Sequence, residues 1–171
     1  LEGQDYWRLA GIFDDVYLYA TPKTRLFDWY VTTDLDKEYK DADLRIEATV
    51  RSYDEVPVQT PLKVLAVLSD AEGKTVAELE SQEARFASGS KSLTLTMTKH
   101  IANPLKWTAE TPDLYSLKMY LIDASTGRRI CENTAEDARQ DVGFKETEII
   151  NNVFHLNGKP LKVNAQNSHM Q

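Results

Sequence analysis

A chain of 171 residues, 42% hydrophobic and 27% charged, has the size and balance of one ordinary globular domain with some chain to spare. Its formal charge of −7 argues against a general nucleic-acid binder, which carries a basic face. No apolar run approaches the ~20 residues of a membrane-spanning helix, and a single cysteine, Cys131, excludes an intramolecular disulfide.

The lone thiol fits the cytoplasm without excluding a large exported protein. No signal-like segment opens the sequence, which begins at Leu1 and enters a dense aromatic pattern at once. It reads as an excised piece of something longer.

Residues 4–22 bring Tyr6, Trp7, Leu9, Ile12 and Phe13 through Gly11 into a short predicted strand, Val16-Tyr17-Leu18-Tyr19, ended by Pro22. From Leu26 onward strand signals arrive with sandwich spacing. Residues 26–33 are rich in aromatic and β-branched side chains but do not alternate cleanly. Leu44, Ile46, Ala48 and Val50 do alternate with polar neighbours, the pattern of a half-buried strand. Residues 62–68 are nearly all apolar and predict a central strand, followed by a turn at residues 70–74 and a shorter strand over 76–79. Leu93, Leu95 and Met97 mark the next strand.

Residues 103–115, Asn-Pro-Leu-Lys-Trp-Thr-Ala-Glu-Thr-Pro-Asp-Leu-Tyr, form a proline-bounded crossover. Pro104 and Pro112 remove backbone donors and keep the preceding residues extended, so no helix runs through them. Trp107 between them needs a pocket and is expected to be buried against the sandwich end. Tyr115, Leu117, Met119 and Leu121 then give one face of a further strand. Residues 125–128 turn it, and a last extended segment runs toward Val142-Gly143-Phe144. About seven short strands without a helical period predict an all-β, immunoglobulin-like antiparallel sandwich held by packing alone.

Residues 148–171 change character. Val153 to Leu156, then Asn157-Gly158, then Lys159 to Val163 predicts a hairpin, because Asn-Gly suits a two-residue type I′ turn.

Residues capable of chemistry do not assemble in sequence. His100, His155 and His169 are far apart and lack metal-ligand spacing, and no phosphate loop or nucleophile elbow is present. No catalytic residue is assigned. Cys131 has no nearby histidine, and Glu132, Glu136, Asp137 and Asp141 lie in a charged stretch expected to face solvent. Trp7, Trp29 and Trp107 suggest either a sugar-stacking platform or aromatic anchors at strand ends, the latter being the expected role.

Four stretches carry a resemblance. Residues 4–18 resemble the segment that ends the sugar-binding jelly-roll domain of glycoside hydrolase family 2. The crossover resembles that family's "NP-x-LW-x-x-E-x-P-x-LY" motif through Asn103, Pro104, Trp107, Glu110, Pro112, Leu114 and Tyr115. Val142-Gly143-Phe144-Lys145 resembles its "VGFR" join, and Asn157-Gly158-Lys159-Pro160 resembles the start of its catalytic barrel. Asp14 stands where the family usually has arginine, and Lys145 keeps the charge of an arginine without its bidentate fork.

The resemblance implies three parts: residues 1–22 ending a jelly roll, 23–146 an immunoglobulin-like domain, and 147–171 the first hairpin and strand of a TIM barrel. It implies retaining hydrolysis of β-galactosides by a multidomain bacterial enzyme, whose two catalytic glutamates lie downstream of Gln171. The segment is then non-catalytic, with no cofactor of its own, while the parent carries Mg or Na. Asn167 and His169 match the family's strand end that lines the sugar pocket. Trp7, Trp107, Tyr115 and Phe144 are expected to be structural anchors. Expected partners are the parent's other domains, its carbohydrate substrate and a further copy in a homo-oligomer, with no nucleic acid and no membrane. Two other functions remain open: a free-standing carbohydrate-binding or adhesion module, and a parent acting on β-glucuronides or β-mannosides.

Overall fold

The computed structural model describes residues 11, 12, 14–18, 20–130, 138–163 and 165. The described residues form ten strands and no helix. One sheet holds β1 (Thr24–Leu35), β2 (Ala42–Ser52) and β5 (Ser92–Ile101) in the order β1-β2-β5. The facing sheet holds β3 (Leu62–Ser69), β4 (Thr75–Glu80), β6 (Tyr115–Asp123) and β7 (Arg139–Val142) in the order β4-β3-β6-β7. All pairs within these sheets are antiparallel. The chain changes sheet at residues 53–61, 81–91 and 102–114, which makes an immunoglobulin-like sandwich.

Strand alternation builds the core. Leu44, Ile46, Ala48 and Val50 of β2 face Leu62, Val64, Ala66 and Leu68 of β3 and Leu117 and Met119 of β6, and none of these is more than 1% exposed. Side chains from Leu95, Met97, Leu79 and Phe86 complete the layer. The buried residues Thr24, Ser52 and Ser81 are paired, while the buried Ser116 hydroxyl has no hydrogen-bond partner among the described residues. Thr24 Oγ1 lies 3.0 Å from Ser52 Oγ, and Ser81 Oγ accepts from the Val64 amide at 3.0 Å.

The irregular pattern of residues 26–33 has a specific cause. A bulge at Phe27 shifts the register, so that Leu26 opposes Val50 while Asp28 opposes Thr49. An inserted residue exchanges the two faces of a strand. Leu26 therefore points inward before the bulge, and Trp29 and Val31 pack on the core after it.

Three expectations are corrected. Residues 15–18 are not in a strand, and Val16, Tyr17 and Leu18 are 80%, 78% and 100% exposed. The strand expected over 159–163 is only β10 (Lys159–Pro160), although the Leu161 amide still donates to the Phe154 carbonyl at 2.8 Å. The predicted hairpin gains a third strand: β8 (Thr147–Ile150) pairs with β9 (Val153–Leu156) in a small sheet ordered β10-β9-β8. Its turn is Asn151-Asn152, with φ of 50° and 63°. Asparagine tolerates this left-handed region better than most side chains.

Candidate functional site

The crossover of residues 102–114 closes one end of the sandwich and meets three other segments there. Its first anchor is Tyr115, 7% exposed at the start of β6. The Tyr115 hydroxyl accepts from the Leu105 amide at 2.8 Å, a bond back to upstream backbone like that of the tyrosine corner in other sandwiches. The ring of Tyr115 stands edge-on to that of Phe144, 5.1 Å between centroids at 89°. Phe144 is fully buried.

Trp107 joins the crossover to the segment after β7. Its amide donates to the Phe144 carbonyl at 2.9 Å, where Lys106 and Phe144 form a single parallel bridge. The indole was expected to be buried but is half-buried. It lies along the surface, against Gly143 on one side and beneath the Lys145 ammonium, 4.6 Å from the ring centroid. A Cβ at Gly143 would sit 2.9 Å from Trp107 Cβ, so close approach requires glycine there.

The Asn157-Gly158 turn docks on the same end. Asn157 and Gly158 have φ of 49° and 72°, both positive as a type I′ turn requires. The Asn157 side-chain amide accepts from the Glu146 amide at 2.9 Å and donates to the Trp107 carbonyl at 3.1 Å. The Asn157 amide donates to the Glu146 carbonyl at 2.9 Å. Gly158 lies beneath the ring of Tyr39, whose hydroxyl donates to the Glu148 carboxylate of β8. That bond and the nearby negative charge of Glu148 and Glu146 raise the phenol's pKa.

Tyr39 is held by the β1–β2 turn, itself at φ 54°. The Asp36 carboxylate accepts from the Lys40 and Asp41 amides at 2.7 and 3.1 Å, which lowers its pKa below the usual carboxylate range. A depressed folded-state pKa means that the stabilisation is present above the unfolded value. It is lost as pH falls below about 4. Asp36→Asn is accordingly expected to flatten the acid limb of a melting-temperature profile below about pH 4, whereas an unchanged limb contradicts this role.

Beside this turn a cavity of about 140 Å³ is lined by Asp34, Asp36, Asp41, Asp43 and His100. Three of its carboxylates, those of Asp36, Asp41 and Asp43, are already engaged. Asp41 accepts from the Asn103 amide at 2.9 Å, and Asp43 lies 3.1 Å from His100 Nδ1. His155 instead meets the Val153 carbonyl at 2.9 Å. Among the described residues no group of three or more His, Cys, Asp or Glu side chains is placed to hold a metal ion.

The tryptophans are engaged separately. Trp29 Nε1 donates to Gln140 Oε1 at 2.8 Å across the seam between the sheets, and Trp107 packs on Gly143. Trp7, Cys131, Glu132, Glu136, Asp137, Asn167 and His169 lie outside the described residues. Sequence reasoning missed Tyr39, Asp36 and Glu148. No local pattern marks a tyrosine at positive φ, and the contact is made across more than a hundred residues.

The sequence profile described as "Glycosyl hydrolases family 2" matches residues 24–145, from the first residue of β1 to the residue after Phe144. A β-galactosidase of Priestia megaterium is 36% identical over 169 residues, covering 99% of this chain and 16% of that protein. One from Enterobacter cloacae is 35% identical over 182 residues, again covering 99% and 16%. The chain thus spans about one-sixth of the length of these relatives. Among solved structures, a glycosyl hydrolase family 2 member from Bacteroides cellulosilyticus superposes with a TM-score of 0.65 at 20% identity, over 78% of this chain and 17% of the other. A β-glucuronidase of Bacteroides uniformis gives 0.65 at 20% identity, over 83% and 17%. These two share the fold. With the profile running through the whole sandwich and both of its junction motifs, this chain belongs to glycosyl hydrolases family 2.

Proposed function

We propose that this chain is a non-catalytic sandwich segment of a β-galactosidase-like enzyme, and that its work is to hold a sugar-binding domain at a fixed angle to a catalytic barrel. Residues 1–22 end the first of those domains, 23–146 are the spacer, and 147–171 open the barrel. The parent hydrolyses terminal β-galactosides with retention, using two glutamates beyond Gln171. One protonates the leaving oxygen and the other attacks the anomeric carbon, with carboxyl groups about 5–5.5 Å apart. Asn167 and His169 line the sugar pocket, and the spacer contributes to contacts between copies. Trp107, Tyr115 and Phe144 act as anchors rather than as sugar-stacking surfaces.

The observation that carries this reading is the commitment of the polar groups at the sandwich end to backbone. Asp36, Asp41, Asn157 and the Tyr115 hydroxyl all accept from main-chain amides. Groups spent this way fix geometry and do not turn over substrate. Geometry matters to the parent, since a misplacement of about 1 Å costs roughly 100-fold in rate. The β-galactosidase names of the curated relatives favour galactosides. The test is proton NMR of the full-length polypeptide acting on a chromogenic β-galactoside. The β-anomer of galactose should form first; the α-anomer first, or turnover of a β-glucuronide alone, contradicts the proposal.

A further inference from the structure

The Asn157-Gly158 turn has more constraint than a hairpin needs. A type I′ turn asks only for two positive φ values, which asparagine and glycine supply. Here the turn is also gripped from three sides. The Trp107 carbonyl accepts from the Asn157 side chain at 3.1 Å, and the Glu146 amide donates to it at 2.9 Å. The Tyr39 ring lies so close that a Cβ on Gly158 would stand 2.4 Å from Tyr39 Cε2.

Tyr39 in turn is clamped at both ends. Its amide donates to the Asp36 carbonyl at 2.9 Å, inside a turn organised by the Asp36 carboxylate. Its hydroxyl donates to Glu148 on β8. One ring therefore touches both the turn after β9 and a side chain of β8. Around it the sandwich also reaches β8's approach directly, since the Leu35 amide lies 3.4 Å from Glu146 Oε2. Three separate contacts, Tyr39 with Gly158, Tyr39 with Glu148 and Trp107 with Asn157, tie the three-stranded sheet of residues 147–160 to one end of the sandwich, drawn from the β1–β2 turn and the crossover.

We infer that Tyr39 and Gly158 are positioning residues of the parent enzyme: their ring-on-glycine contact, with the Asn157 amide bridge, sets the angle at which the chain leaves the sandwich. The inference rests on the proposed function for its catalytic consequence but not for its geometry. A covalent linker alone would leave the small sheet free to pivot about residues 143–146. The contact removes that freedom, because the ring fills the space that any side chain at position 158 would occupy. Enlarging Gly158 does harm in two ways, through the strain of a side chain at φ 72° and through the Tyr39 ring, and removing Tyr39 relieves the second.

The test is a double-variant cycle in the full-length polypeptide: Gly158→Ala, Tyr39→Ala and both together. Two readouts are taken: kcat and KM on a chromogenic β-galactoside, and the spin-label distance between position 72 in the exposed β3–β4 turn and a site beyond residue 171, with Cys131→Ser as background. Gly158→Ala is expected to lower kcat about 10- to 100-fold, with KM within about threefold, and to shift or broaden the distance distribution. The double variant should be no more than about threefold worse than Tyr39→Ala, the non-additivity expected of residues in contact. Additive losses, or a Gly158→Ala protein with wild-type kcat and distance, overturn the inference.

If the wild-type polypeptide turns over no glycoside, the proposed function fails, and the label distances alone decide this inference by the same criteria. Should Gly158→Ala fail to fold, Tyr39→Phe serves in its place. It keeps the ring and loses only the bond to Glu148, so a broadened distance distribution at unchanged melting temperature supports the inference and a wild-type distribution overturns it.

Discussion

Phe144→Ala is expected to destabilise the chain by about 3–5 kcal/mol, the range for deleting a buried aromatic ring. Phe144 is fully buried, and its ring is the face against which Tyr115 stands edge-on at 5.1 Å. Truncation loses the transfer energy of the ring and leaves a cavity at the join of the crossover and the segment after β7. Relaxation is restricted, because the Phe144 carbonyl still accepts from Trp107 and holds the backbone in place. Urea unfolding followed by circular dichroism measures the effect as a fall in midpoint at constant slope. Phe144→Leu, which fills most of the space, should cost less than about 1.5 kcal/mol. A loss below about 1 kcal/mol for the alanine variant would mean that the site collapses freely and is no anchor.

Trp107→Ala should cost less, about 2–3 kcal/mol, because the indole is only half-buried. Its consequence is more local. The ring is the surface on which Gly143 and Lys145 lie, and its carbonyl receives the Asn157 side chain. Hydrogen exchange should therefore show the amides of residues 146–157 losing protection before those of β3 and β6. Melting temperature should fall in the absence of any sugar. If Trp107→Ala leaves stability unchanged but abolishes saturable galactose or lactose binding, the residue belongs to a binding platform instead.

The contrast between Phe144 and Trp107 shows where sequence was readable. Strands whose inner face alternates against polar residues, such as β2 and β5, were legible residue by residue, because period-two burial writes itself into the sequence. The edge strand β1 was legible as a strand but not in its facing. Its bulge at Phe27 is fixed by pairing with β2, and nothing in residues 24–35 alone announces it. Leu65 and Val67 of β3 are apolar yet half-buried, so composition alone overstated how much of that strand is sealed.

At the site, the glycines were visible and their partners were not. Gly143 and Gly158 could be read as points of close approach or positive φ, and Asn157-Gly158 as a turn. What approaches them, Trp107 in one case and Tyr39 in the other, lies about 36 and 119 residues away in the chain. Local patterns carry no record of such contacts. The second asparagine turn, Asn151-Asn152, carries a weaker signal than Asn-Gly, since paired asparagines tolerate left-handed backbone less readily than glycine.

The motif of residues 103–115 gains a physical meaning from the structure. Pro104 is buried, Leu105 gives its amide to Tyr115, Trp107 binds the Phe144 backbone, and Thr108 and Thr111 close a small turn through bonds of 2.9 and 3.0 Å. Of the motif residues, Asn103, Pro104, Trp107 and Tyr115 take part in closing the sandwich end.

The proposed role of this chain is to position and not to catalyse. The most direct measurement places the 171-residue chain and its full-length parent side by side with a chromogenic β-galactoside at equal molar concentration. Turnover is expected from the parent and none above a buffer blank from the chain. Turnover by the chain that disappears on changing one of its own residues would contradict it.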